Sequence, residues 1–132
     1  MKELQQKYME YQSYEEQLKK IQKQLQEIDD NLMEINYIKS SIDEISQVEE
    51  GKEILCPLSS GIFVKAKVQK AEEFLVNVGS NVVVKKDIEQ TKQLMDSQAK
   101  ELEETKENLT QKYYEYYTKF QELQQELSKM VD

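Results

Sequence analysis

ILCPLSSGIFVKAKVQKAEEFLVNVGSNVVVKK, residues 54–86, breaks the pattern of everything around it. Its apolar residues recur at every second position and are rich in valine and isoleucine, which is the mark of short strands. Four runs emerge: ILCPL (54–58), IFVKAKV (62–68), FLVNVG (74–79) and NVVVKK (81–86). In the second run Ile62, Val64, Ala66 and Val68 share one face, with Phe63, Lys65 and Lys67 opposite. Ser59-Ser60-Gly61, Gln69 to Glu73 and Gly79-Ser80-Asn81 carry turn chemistry. The spacing predicts two consecutive β-hairpins. Pro57 suits a strand edge or end, where its missing N–H costs nothing.

On both sides of this stretch the period becomes seven. Before it, Leu4, Tyr11, Leu18, Leu25 and Leu32 form one series, and Tyr14, Ile21, Ile28, Ile35 and Ile42 form a second, offset by three. These are the a and d positions of a heptad repeat. Ile35, Ile38, Ile42 and Ile45 continue the seam in the changed phase of a three-residue stammer. Gly51 is placed to end the helix. After the stretch, Asp87 and Gln90 spell a capping box. Ile88, Met95, Leu102, Leu109, Tyr116, Leu123 and Met130 then keep the seven-residue period. The companion series is Lys92, Ala99, Lys106, Tyr113, Phe120 and Leu127. The two seam lysines are expected to pack their stems and carry their ammonium groups outward, with a role in fixing register as the other reading.

The two helices are nearly equal in length, roughly 70 Å each at 1.5 Å per residue. Folding back on each other would satisfy both seams. The fold expected is therefore α+β, mainly α: a long antiparallel two-helix coiled-coil hairpin with two β-hairpins between the helices. One domain, 1–132, divides into a first helix (1–50), a β-hairpin assembly region (51–85) and a second helix (86–132). Both termini would lie at one tip and the strands at the other end.

Composition agrees. A third of the 132 residues are charged and mean hydropathy is −0.82, which suits long helices that bury a narrow stripe. The net charge of −8, with no histidine and no arginine, argues against nucleic acid and anionic membrane as partners. No run of about 18 apolar residues occurs, and MKELQQKYMEYQ lacks the apolar core of a secretion signal. A cytoplasmic location is expected, and Asn108-Leu109-Thr110 carries little weight as a glycosylation sequon. Cys56 is the single cysteine and is expected to be a small buried hydrophobe.

Enzyme chemistry finds no footing. There is no imidazole base, no glycine-rich phosphate cradle and no metal-ligand set beyond carboxylates and one thiol. No catalytic residue, cofactor or metal is expected, and pairs such as Glu103-Glu104 read as solvated helix surface.

The strands raise a different question. Four short strands bury little alone, yet this segment holds Ile54, Leu55, Pro57, Leu58, Ile62, Phe63, Val64, Val68, Phe74, Val76, Val78, Val82 and Val84, besides Leu75 and Val83. It is either a folded cap on the coiled coil or an oligomerisation surface completed by strands of other subunits.

Helix, two hairpins, helix, with Leu55 to Val68 and Phe74 to Lys86 as the specific segments, resembles the α class of the prefoldin family, whose β class has one hairpin at this place. The resemblance implies a hexamer of two α-class and four β-class subunits. In it the strands complete intersubunit β-barrels, and coiled-coil tips hold unfolded polypeptides for a group II chaperonin, without ATP. The thirteen strand residues named above, Ile54 to Val84, would form the oligomer interface. The tips, roughly 1–15 and 118–132, offer Leu4, Tyr8, Met9, Tyr11, Leu123, Leu127, Met130 and Val131 to clients. Tyr114 and Tyr117 of QKYYEYYTKF (111–120) lie off the seam and join them, while Tyr113, Tyr116 and Phe120 read as seam. Relatives of the same fold that build filaments or scaffolds through the β segment are the alternative.

Overall fold

A computed structural model of the chain describes residues 2–70 and 72–131; Met1, Ala71 and Asp132, which the expected segments include, lie outside the described residues. The elements in order are helix α1 (Lys2–Ser46), strands β1 (Glu53–Ser59), β2 (Ile62–Lys67), β3 (Glu73–Gly79) and β4 (Val82–Asp87), and helix α2 (Ile88–Val131). They group into two compact units. One holds the helix segments up to Met33 and from Lys100 onward, and the other spans Glu34–Ala99.

In the first unit the helices pair antiparallel through the expected seam. Leu18, Ile21 and Ile28 of α1 and Leu123 of α2 are buried, with Tyr11, Tyr14, Leu25, Tyr113, Tyr116 and Phe120 half-buried around them. Direction is set by cross-helix pairs that climb one helix as they descend the other. The Tyr11 and Phe120 rings stack at 4.6 Å, and Tyr14 meets Tyr116 edge-on at 5.5 Å.

The second unit contains the end of α1, the four strands and the start of α2. Ile35 and Ile42 are buried here and continue the seven-residue series of Ile21 and Ile28 without a break. The phase change expected at Ile35 is therefore confined to the companion row. Lys39 occupies the position seven after Leu32, and half-buried Ile38 and Ile45 replace it on the seam. α1 ends at Ser46, earlier than Gly51. The chain tightens there through Gln47 N to Glu44 O (3.2 Å) and Val48 N to Ile45 O (3.1 Å), the short i→i−3 bonds that close a helix end. Gly51 has φ of +85° and donates its N–H to Val68 O at 2.7 Å, while Val68 N donates to Lys52 O. Gly51 thus opens the first hairpin. Val68 lies just past the end of β2, with its backbone groups already satisfied.

The two hairpins are copies of each other, twenty residues apart in register. Ile54 faces Ala66 and Cys56 faces Val64, as Phe74 faces Lys86 and Val76 faces Val84. Each register slips once, between Pro57 and Ser59 and between Asn77 and Gly79, so Leu58 and Val78 are bulge residues. Each turn has positive φ at both central residues, Ser60 with Gly61 and Ser80 with Asn81, as a two-residue hairpin loop with the right twist requires. The second bulge is held by the Asn77 carboxamide oxygen, which accepts from Gly79 N at 2.9 Å. The hairpins form two separate two-stranded sheets. Among the described residues every strand therefore has one neighbour and one unpaired edge.

β4 runs straight into α2. Asp87 Oδ1 accepts from Gln90 N at 2.7 Å, and Gln90 Oε1 accepts from Asp87 N at 3.2 Å, which is the reciprocal capping box expected from sequence. Thr91 is buried, 5% exposed, with its hydroxyl donating to Asp87 O at 2.7 Å. Nothing in the heptad reading marked Thr91, because it sits beside the a/d series.

Candidate functional site

Two surfaces carry apolar side chains that the chain itself leaves uncovered. The first is the hairpin pair. A strand alternates its side chains between two faces, and the two faces here differ. Ile54, Cys56, Phe74, Val76 and Val84 are half-buried, and Phe74 borders a groove of about 550 Å³ with Tyr37, Ile45 and Val48 of the α1 end. Opposite them Leu55 and Leu75 stand 62% and 72% exposed, with Phe63 and Val83 beside them and more than half exposed. The turn ends add exposed Leu58, Ile62, Val78 and Val82.

Of the thirteen residues expected at an interface, Ile54, Val68, Phe74, Val76 and Val84 are thus partly covered within the chain. Leu55, Pro57, Leu58, Ile62, Phe63, Val64, Val78 and Val82 are exposed. Leu75 and Val83 belong with the exposed group. Their place opposite half-buried neighbours on alternating strands was the available signal. Cys56 is half-buried, shallower than the buried hydrophobe expected.

The second surface lies in the first unit, beside the chain ends. Leu4 and Tyr8 of α1 and Leu127 and Val131 of α2 line an open groove of about 560 Å³, rimmed by Gln5, Gln124 and Ser128. On its flank Lys7 Nζ meets Glu126 at 2.9 Å. The structure brings together four of the expected tip residues, Leu4, Tyr8, Leu127 and Val131. Tyr8 extends a ring row to Tyr11, 6.4 Å away, and on to Phe120. Met9 is exposed and stands apart from the groove, Met130 is 40% exposed, and Leu123 is buried in the seam.

QKYYEYYTKF divides as expected. Tyr113 is half-buried and accepts a hydrogen bond at its hydroxyl from Gln22 Nε2 at 3.0 Å. Tyr114 is 64% exposed and meets Tyr113 edge-on. Tyr117 is 40% exposed because its ring stacks on Tyr113 at 6.1 Å. Tyr37 and Met33 are exposed on α1 and were missed. Apolar residues at outward heptad positions, where polar ones belong, were the signal.

The seam lysines do more than carry charge to water. Lys92 reaches Asp43 at 2.5 Å and Lys106 reaches Asp29 at 2.8 Å, in each case across to the other helix. Their stems are partly covered, as expected, and each ammonium ends on one specific carboxylate. Hydrogen bonding to that carboxylate raises the pKa of both above the ordinary lysine value. The hydrogen bond to Glu126 does the same for Lys7.

Among the described residues no helix is long and apolar enough to cross a membrane. Residues 14–132 match the family model of the prefoldin subunit. The chain is 40% identical over 65 residues to a prefoldin subunit alpha of Methanococcus aeolicus and 38% identical over 65 residues to one of Methanococcus maripaludis. Each alignment covers 49% of this chain and 43% of the relative, so it spans less than half of the curated relatives' length. The cryo-EM structure of filamentous PFD from Methanocaldococcus jannaschii superposes with a TM-score of 0.82 at 23% identity, over 90% of this chain and 98% of that one. At that identity the likeness is one of fold.

Proposed function

The chain belongs to the prefoldin family, and on that premise we propose that it is an α-class subunit, a single prefoldin-like domain, of an ATP-independent cytoplasmic chaperone. The two hairpins supply strands to β-barrels shared with β-class subunits in a hexamer of two α and four β. The groove at the chain ends, with the exposed tyrosines beyond it, holds unfolded polypeptides and passes them to a group II chaperonin. The observation that carries this reading is the pair of uncovered apolar surfaces at the hairpins and at the helix ends. One chain has no use for either alone. A shallow apolar groove without charged lining suits clients that share only exposed hydrophobic residues. Several such grooves in one assembly hold a client by multivalency even when each contact is weak.

The test mixes the chain with a β-class subunit and follows aggregation of a denatured client by light scattering. The complex suppresses aggregation. Removal of residues 1–12 and 120–132 abolishes suppression while sedimentation shows the assembly intact. Unchanged suppression after truncation would remove the groove from the function.

A second reading draws on the filamentous structural neighbour and the unpaired strand edges. In it the chain polymerises through its hairpins into a filament or scaffold. Electron microscopy of the protein alone separates the two, because long polymers without a partner support the second reading and a small discrete oligomer counts against it.

A further inference from the structure

Four charged residues on the helix segments of the second unit form a closed set. Lys39 and Asp43 lie four residues apart on α1, and Lys92 and Asp96 lie four apart on α2. Lys39 Nζ meets Asp96 at 2.5 Å and Lys92 Nζ meets Asp43 at 2.5 Å, all within Glu34–Ala99. The same spelling, lysine and then aspartate one turn later, thus answers itself when the helices run antiparallel. Neither lysine bridges to the aspartate of its own helix, although Lys7–Glu3 and Lys19–Glu15 show that four-residue bridges do form on α1. Lysine ahead of the acid is the weaker order for a bridge within a helix, so the arrangement favours the cross-helix contact. Both lysines stand in the seam: Lys39 comes seven after Leu32, and Lys92 begins the companion row of α2. Lys106 and Asp29 repeat the pairing of Lys92 and Asp43 fourteen residues further along on each helix.

We infer that Lys39, Asp43, Lys92 and Asp96 act as a register lock, holding the two helices in one of the alignments that the apolar seam leaves open. The apolar rows repeat every seven residues, so a slip of one heptad, about 10 Å, sets apolar rows against apolar rows again. The charges do not repeat. A slip one way puts Asp43 against Ala99 and Asp96 against Ser46, and the other way puts Lys92 against Asn36 and Asp96 against Leu32. Lys39 alone finds a new acid, Glu103 or Glu89. The pairs are partly exposed, and such pairs add little to total stability. Their weight lies in the difference between alignments, because a slipped one strips seam lysines and carboxylates of their partners. A slip would also part Leu4 and Tyr8 from Leu127 and Val131, which now share one groove. The inference concerns the alignment of the helices and holds whether or not the chain binds clients.

The experiment measures register in the full chain by double electron–electron resonance. Cys56→Ser removes the single native thiol. Spin labels at Ser40→Cys and Gln111→Cys, both exposed, are staggered along the helices so that a slip changes their separation. Labelled chains are diluted into unlabelled ones to exclude distances between molecules. The parent shows a single distance. Exchanging the charges of one helix, Lys39→Asp/Asp43→Lys, leaves composition and net charge unchanged and sets like charges face to face. A second distance then appears, shifted by most of the ~10 Å slip. Exchanging the other helix as well, by Lys92→Asp/Asp96→Lys, restores the single distance. Circular dichroism checks that each variant keeps its helix content. Should the one-helix exchange unfold, the neutral variant Lys39→Gln/Asp43→Asn/Lys92→Gln/Asp96→Asn decides: a second distance upholds the lock and a single native one overturns it. The inference is also overturned by two distances in the parent, or by a folded one-helix exchange that keeps the parent distance, since the connecting strands or the seam would then set the register unaided. A second distance that the matched exchange does not remove overturns it too, because pairing would not be its cause.

Discussion

At the scale of single residues, burial sorts the aromatic and ionic side chains by what they do. Ile28, 8% exposed in the seam, is core, and Ile28→Ala is expected to cost about 2–4 kcal/mol in urea unfolding. Tyr114 is at the other extreme. On the proposed holdase function, Tyr114→Ala combined with Tyr117→Ala is expected to weaken client capture and to lower the melting temperature little, with what loss there is coming from Tyr117 through its stack on Tyr113. A large stability loss with normal capture would return both rings to the core. The lysine pairs make a prediction in pH. For Lys7, Lys92 and Lys106 the folded-state pKa is raised above 10.5, so the folded state favours the charged ammonium. That contribution is fully present below the unfolded lysine value and is lost as pH rises through the higher folded one. The melting temperature of the wild type minus that of Lys92→Gln/Lys106→Gln is therefore constant through neutral pH and shrinks above about pH 10.5. A difference that stays unchanged into strong alkali would show that the pairs contribute nothing.

At the scale of elements, boundaries are set by local chemistry and were legible where that chemistry is a motif. Asp87 and Gln90 announced the start of α2 and close the capping box there. Asp87→Ala should cost about 1 kcal/mol, read by thermal melting, and should fray the first turn of α2 in amide exchange. The end of α1 was less legible. Gly51 has the freedom of a helix terminator, and the hairpin's base claims it through Val68, a bond to a residue seventeen positions away that no local pattern reports. The turns follow from conformation. Asn81 sits at φ of +61°, so Asn81→Val, with a β-branched side chain in the left-handed region, is expected to destabilise the second hairpin by about 1–2 kcal/mol. Asn81→Gly should be tolerated. Comparing the two in hydrogen exchange of β3 and β4 separates backbone strain from loss of the carboxamide.

At the scale of the whole molecule, the two hairpins are small sheets with open edges, and such sheets are marginal on their own. Amides of Leu75 and Val83 should exchange quickly in the isolated chain and become protected in the assembled complex. The seam amides near Ile21 and Ile28 should be slow in both. Equal protection of the hairpins with and without partner subunits would mean that the chain stabilises them unaided and that the folded-cap reading holds.

The order of elements, the two strand faces and the helix seam were all present in the sequence by itself. Each depends on a period, two for strands and seven for paired helices, and a period is a property of neighbouring residues. Tertiary structure alone decided which apolar face stays open, that Lys92 and Lys106 end on Asp43 and Asp29, and that Leu4, Tyr8, Leu127 and Val131 meet in one groove. These facts depend on side-chain reach and on register between segments far apart in the chain. A shift of one residue in that register leaves the periods intact and changes every partner.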